Sequence, residues 1–186
     1  YFSEHDAPQL SIEESSSHSA FRIPHSEFVV PLAQIHDSFI VAQSQDGMAL
    51  IDQHAAHERV LFEKLQDQFN AGNISVQNLL IPVQVEINHA EKGLLSEYLP
   101  ELHRLGFLVE GFGGNTFVIK GVPSLLTGAD YKKLLLDILD EIRMHGHSRQ
   151  MDRLRDEILS VMACHPAIKV HRKLDIREME QLLQDL

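Results

Sequence analysis

Met48-Ala-Leu-Ile-Asp52-Gln-His54-Ala-Ala-His57-Glu58-Arg-Val-Leu-Phe-Glu63 is the stretch that decides how this chain folds and where its chemistry lies. Met48–Ile51 is an apolar strand core that delivers Asp52 to its tip. A helix starts at about Gln53 and runs to about Phe69, with Leu61, Leu65 and Phe69 on an i, i+4, i+8 stripe. Ala71-Gly72-Asn73 stops it. At ~100° per residue, His54 and Glu58 share one helix face, offset by only ~40°. Two carboxylates and an imidazole within reach of one point suit a divalent metal. The competing reading is a polar helix start, with Asp52 as a favourable N-terminal acid and His54 and Glu58 solvated. Glu63 lies about 140° around the helix from Glu58, which suits a supporting ion pair better than ligation. His57, about 60° from His54, is a secondary supporting candidate. The order His-x-x-His-Glu matches neither His-Glu-x-x-His nor His-x-x-Glu-His, which disfavours metalloprotease chemistry.

Upstream, Phe28-Val29-Val30 and Phe39-Ile40-Val41-Ala42 read as strand, and Gln45-Asp46-Gly47 joins the latter to Met48–Ile51 as a hairpin. Residues 1–20, with Ser15-Ser16-Ser17 and several acids, read as the end of a disordered linker. Downstream, a second unit begins near Gln77. Val83-Gln84-Val85-Glu86-Ile87 alternates as a strand does, Asn88 can cap a helix over about 90–105, and Gly106 ends that helix. The stretches 107–110 and 116–120 flank Gly113-Gly114-Asn115 as a hairpin. Residues 131–144 form a strongly amphipathic helix. His145-Gly146-His147-Ser148 is a break and candidate hinge. A helix over about 150–163 precedes Cys164-His165-Pro166, and a last helix spans 174–186.

The 186 residues and 44% apolar content support one domain or two small lobes with a real core. With no Trp, Leu, Ile and Val must fill it. No run of 18 apolar residues predicts a membrane span, and Tyr1–Ser19 is too polar for a secretory signal. The single cysteine, Cys164, excludes an internal disulfide and fits a reducing compartment. A net charge of −11 argues against strong intrinsic affinity for a polyanion. Residues 143–178 are mildly basic, with eight Lys/Arg against five Asp/Glu, as a solvated helical surface can be. Neither a phosphate-binding glycine loop nor a dinucleotide fingerprint occurs. Cys164 reads first as a small buried apolar residue and second, beside His165, as a thiolate donor. Gln77-Asn-Leu-Leu80-Ile-Pro82 reads from composition as an inter-lobe linker or edge strand.

Together these residues resemble the carboxyl-terminal domain of the MutL family of DNA mismatch repair proteins. Asp52-Gln-His-Ala-x-x-Glu58-x-x-x-x-Glu63 matches that family's metal-binding endonuclease signature in full. Ala163-Cys164-His-Pro-Ala-Ile-Lys169 is similar to its second motif, and residues 31–42 are similar to the strand that precedes the signature. The likeness runs from about Phe21 to Leu186.

The resemblance implies an α+β fold in two lobes. A discontinuous dimerisation lobe takes residues 21–75 and 146–186, and a regulatory lobe, 76–145, is inserted between them. It implies metal-dependent DNA nicking by a homodimer, with Asp52 and Glu58 catalytic. Asp52, His54, Glu58 and Cys164 would be metal ligands, supported by Glu63 and His57. Zinc is implied as a structural or regulatory ion, and manganese or magnesium as the catalytic one. Gln77-x-x-Leu80-x-Pro82 resembles the family's motif for docking on the replication sliding clamp. DNA, bound weakly through recruitment, and other mismatch repair proteins are the further partners implied, in the cytoplasm at the nucleoid. The family's third motif, Cys-x-His-Gly-Arg-Pro, does not occur in these residues, although it would add a cysteine and a histidine to the metal site. The alternative is therefore a homodimerisation and docking module that is non-catalytic in this form.

Overall fold

A computed structural model describes residues 29–45, 47–145, 151–167 and 172–186. The architecture is α+β, built on two antiparallel three-stranded sheets. The first holds β1 (Val30–Ile35), β2 (Phe39–Ser44) and β3 (Gly47–Asp52), in that order. Its first turn was not legible as such in the sequence. His36 and Asp37 both take φ of +51°, the central residues of a tight turn closed by Ser38 N donating to Ile35 O at 3.1 Å, whose twist matches the strands. Helix α1 (Gln53–Asn70) leaves β3 directly.

The second sheet has the order β4-β6-β5, with β4 (Val76–Glu86), β5 (Leu108–Gly113) and β6 (Thr116–Pro123). Residues 77–82 are thus part of a long edge strand rather than a linker. Pairing of β4 with β6 lapses between Asn78 and Val83, so the middle of this strand stands away from the ladder. Helix α2 (His89–Arg104) starts with a full capping box, in which Asn88 Oδ1 accepts from Glu91 N and Glu91 Oε2 accepts from Asn88 N. Gly106 ends the turn after it with φ of +85°, and a Cβ there would lie 2.8 Å from Ile74 Cγ2. Both facts demand glycine.

Helices α3 (Tyr131–His145), α4 (Met151–Ala167) and α5 (Ile176–Asp185) complete the chain. Helix α4 continues through Cys164-His165-Pro166 to Ala167 rather than stopping at residue 163. Pro166 has no N–H to donate back to the carbonyl of Met162, and the helix ends one residue later. The expected linker end, 1–20, and the candidate hinge at 146–148 lie outside the described residues.

Two cores form. The smaller joins Ile40 of β2, Ala56 and Val60 of α1, and Leu174, Met179 and Leu182 around α5. The larger fills the space between the second sheet and helices α2 and α3. It continues into Leu65 of α1 and Leu154, Ile158, Leu159 and Met162 of α4. The 76–145 segment therefore shares its core with α4, and α4 is the wall between the two units. Phe69 at the end of α1 adds a second tie, with the Arg104 and Arg155 guanidinium carbons 5.2 and 4.7 Å from its ring centroid.

Candidate functional site

The β3–α1 junction sets Asp52. Its Oδ1 accepts from His54 N at 2.8 Å and Ala55 N at 3.0 Å, so Asp52 is the N-cap of α1. One turn on, Glu58 Oε1 lies 3.2 Å from His54 Nε2. From across the groove, Cys164 Sγ donates to the same Glu58 oxygen at 2.6 Å. The structure thus brings His54 and Cys164 each to one Glu58 carboxylate oxygen, while the Asp52 carboxylate is held on the backbone at the helix start. The second motif reaches the first only because α4 packs along α1.

Burial pushes the Cys164 thiol up to about 11, reinforced by the hydrogen bond to Glu58 and by its negative charge. The thiol therefore holds a proton between sulfur and carboxylate. Carboxylate, imidazole and thiolate groups can hold a divalent ion in place of such a proton. No three donor atoms of Asp52, His54, Glu58 and Cys164 lie within 4.8 Å of one another, however, so ligation requires these side chains to close in. Glu58 and Cys164 open onto a surface cavity of about 310 Å³, also lined by Arg59, Phe62 and Ser160. Glu63 Oε1 accepts from Arg59 at 2.6 Å, which ties down the arginine at the rim. His57 faces away from the donors, with its Nδ1 3.0 Å from Gln53 O, and lines a second groove between α1 and α5.

Gln53 was not singled out in the sequence, yet it is completely buried. Its Oε1 accepts from Gln34 of β1, and both side-chain amides donate to Arg172 O. Gln34 Oε1 in turn accepts from Leu174 N at 2.9 Å. This amide cluster fastens the start of α1 to β1 and to the segment leading into α5. A buried glutamine needs such partners, but no sequence spacing announces them. His165, also buried, lies 2.9 Å from Asp137 Oδ2 of α3, which fixes the end of α4 next to Cys164.

The residues expected to dock on a clamp lie elsewhere, on β4. Leu80 is fully exposed, and Ile81 nearly so. Gln77 Oε1 accepts from Thr127 Oγ1 at 2.9 Å. Pro82 and Ile81 border a cavity of about 420 Å³ with Phe112 and Lys120.

The fold and site define an α+β domain with a strand–helix junction rich in metal-binding donors. Residues 32–174 match the model of the family described as MutL C terminal dimerisation domain. The chain belongs to this family. It is similar to the DNA mismatch repair protein MutL of Geobacter sulfurreducens, 44% identical over 81% of this chain and 25% of the relative. It is also similar to those of Herminiimonas arsenicoxydans, 38% identical over 95% of this chain and 29% of the relative, and Koribacter versatilis, 37% identical over 100% and 30%. The chain thus spans less than a third of the length of these relatives. Among the described residues no helix is long and apolar enough to cross a membrane.

Proposed function

We propose that this domain homodimerises and, within the complete protein, nicks DNA with the help of divalent metal held by Asp52, His54, Glu58 and Cys164. The observation that carries this reading is the meeting of His54, Glu58 and Cys164 around one carboxylate oxygen. Sulfur and imidazole favour zinc, whereas a carboxylate such as Asp52 suits manganese or magnesium. When bound, a divalent ion supplies polarisation of the phosphodiester and a water of lowered pKa. The chain's own residues supply position. Capping holds the Asp52 carboxylate in place, Glu58 spaces the imidazole from the thiol, and the Gln34–Gln53 cluster keeps the helix start rigid. A net charge of −11 leaves little for non-specific DNA affinity. Recruitment then falls to the Gln77–Pro82 strand, whose unpaired, exposed Leu80 is suited to insert into a sliding clamp.

Asp52→Asn tests the chemistry in the full-length protein. Asn is as good an N-cap as Asp, so the fold should survive while metal-dependent nicking of supercoiled DNA is lost. Retained nicking would remove Asp52 from the mechanism. If the unmodified full-length protein does not nick, the domain is a dimerisation and docking module. Replacing Gln77 and Leu80 by Ala should weaken clamp binding about tenfold or more, because one buried aliphatic anchor contributes ~1–3 kcal/mol.

A further inference from the structure

We propose a second divalent-metal site, formed by Glu141 and His145 of α3 with Glu157 of α4. It shares no residue with the site around Glu58 and does not depend on the function proposed above. One donor atom from each of the three side chains lies within 4.8 Å of the others. His145 Nε2 is 3.3 Å from Glu141 Oε1, and His145 Nδ1 is 3.9 Å from Glu157 Oε2. Bonds of ~2.0–2.2 Å to one ion require only that these side chains close by small torsional shifts.

The second observation concerns Glu157. Its Oε2 is buried and has no hydrogen-bond partner among the described residues. The His145 nitrogen at 3.9 Å is too far to serve as one. A buried carboxylate oxygen without a donor is costly, and a cation bound between the three groups would satisfy it. The site also lies at the carboxyl end of α3, where the unpaired helix carbonyls favour positive charge. Arg143, the nearby cation on that turn, is turned to Asp140 at 2.8 Å.

One imidazole and two carboxylates suit zinc or manganese better than calcium or magnesium, which favour all-oxygen shells. Three protein ligands on a partly exposed surface leave a position for water. The ion would clasp the end of α3 to the first half of α4, the helix that presents Cys164 two turns further on. Its role is to brace the wall between the two units.

Zinc binding to the 186-residue chain carrying His54→Asn, Glu58→Gln and Cys164→Ala, measured by equilibrium dialysis, isolates this site from the other. The expected result is one tightly held equivalent, lost when Glu141→Gln and His145→Asn are added, and a zinc-induced rise in melting temperature that disappears with it. Both residues are surface-accessible, so circular dichroism should show an unchanged fold. His145→Asn alone should weaken binding at least tenfold, which guards against a misfolded double variant. No retained zinc in that triple-substituted chain would overturn the proposal, and so would an equivalent that survives both additional substitutions. In either case the trio is a surface ion-pair cluster only.

Discussion

The two sheets turn different surfaces outward, one mixed and one largely apolar. On the β4-β6-β5 sheet the exposed side sets Gln84, Glu86, Glu110 and Lys120, with Lys120 paired to Glu110, among the exposed Ile81 and Phe112. Its other side buries Val85, Val109, Phe117 and Ile119 in the larger core. On the β1-β2-β3 sheet the register puts Val30, Ile35, Phe39, Met48 and Leu50 on the outer side. Met48 is 77% and Leu50 62% exposed. The inner side of this sheet offers Ile40 and, in part, Ile51 to a core with six buried members among the described residues, against twenty-two in the larger one. The mixed face carries its own paired charges. An apolar one over a small core calls for a partner, and a second copy, related by a two-fold axis, fits a family of dimerisation domains.

The comparison can be broken from either side. Leu135 of α3 is fully buried in the larger core. Leu135→Ala should cost ~2–5 kcal/mol of stability through lost burial and a cavity, read by denaturant unfolding, without weakening self-association of the folded chain. Leu50→Asp should do the reverse. A charge on the outer face of the first sheet should raise the dimer dissociation constant by roughly 30- to 1000-fold, the equivalent of ~2–4 kcal/mol at an interface centre. Sedimentation velocity would show a monomer, whereas Gln84→Asp on the other sheet should leave the dimer intact. A dimer that ignores Leu50→Asp would move the interface elsewhere.

The seam between the units yields a pH-dependent prediction. The Cys164 thiol is raised from 9.0 to about 11 by burial and then by Glu58. Both causes favour the neutral thiol, and only the thiolate reacts. In the metal-free chain, alkylation of Cys164 at neutral pH should be roughly a hundredfold slower than for an ordinary thiol, and should rise with pH until about 11. Glu58→Gln removes the negative charge, so it should lower the thiol pKa and speed the reaction. A rate unchanged by that substitution would separate Cys164 from Glu58.

The smaller unit also relies on a buried amide cluster. Gln53→Ala would leave Gln34 and the Arg172 carbonyl without their buried partner. It should cost ~1–3 kcal/mol and raise amide exchange around Leu174, with little effect on residues 85–142. Equal loosening of both units would show that the cluster holds the whole molecule rather than the first sheet.

Much of the local structure was legible because single residues dictate it. Asp52 and Asn88 cap helices through their own side chains, Gly106 and Gly113-Gly114 supply positive φ, and the 3.6-residue spacing of α3 names its buried face. The pairing of His54 with Glu58 follows from helix geometry alone. Other features depend on partners far away in the chain. Cys164 meets Glu58, 106 residues earlier, only because α4 lies along α1. The helix runs past residue 163 because Glu58 and Asp137 hold Cys164 and His165 there. Residues 77–82 read by composition as either a linker or an edge strand, and the pairing of β6 with Gln77 and Asn78 decides for the strand.

The sequence by itself determined the strand–helix junction at Asp52 and the donors His54 and Glu58, because caps, turns and helical period act over a few residues, while the α+β class came with the family resemblance. Only the tertiary structure decided that Cys164 completes that cluster, that Gln53 is buried in an amide network, that an apolar sheet face is left bare and that Glu157 reaches His145. Each of those depends on which surfaces pack together, and packing is set by the whole chain.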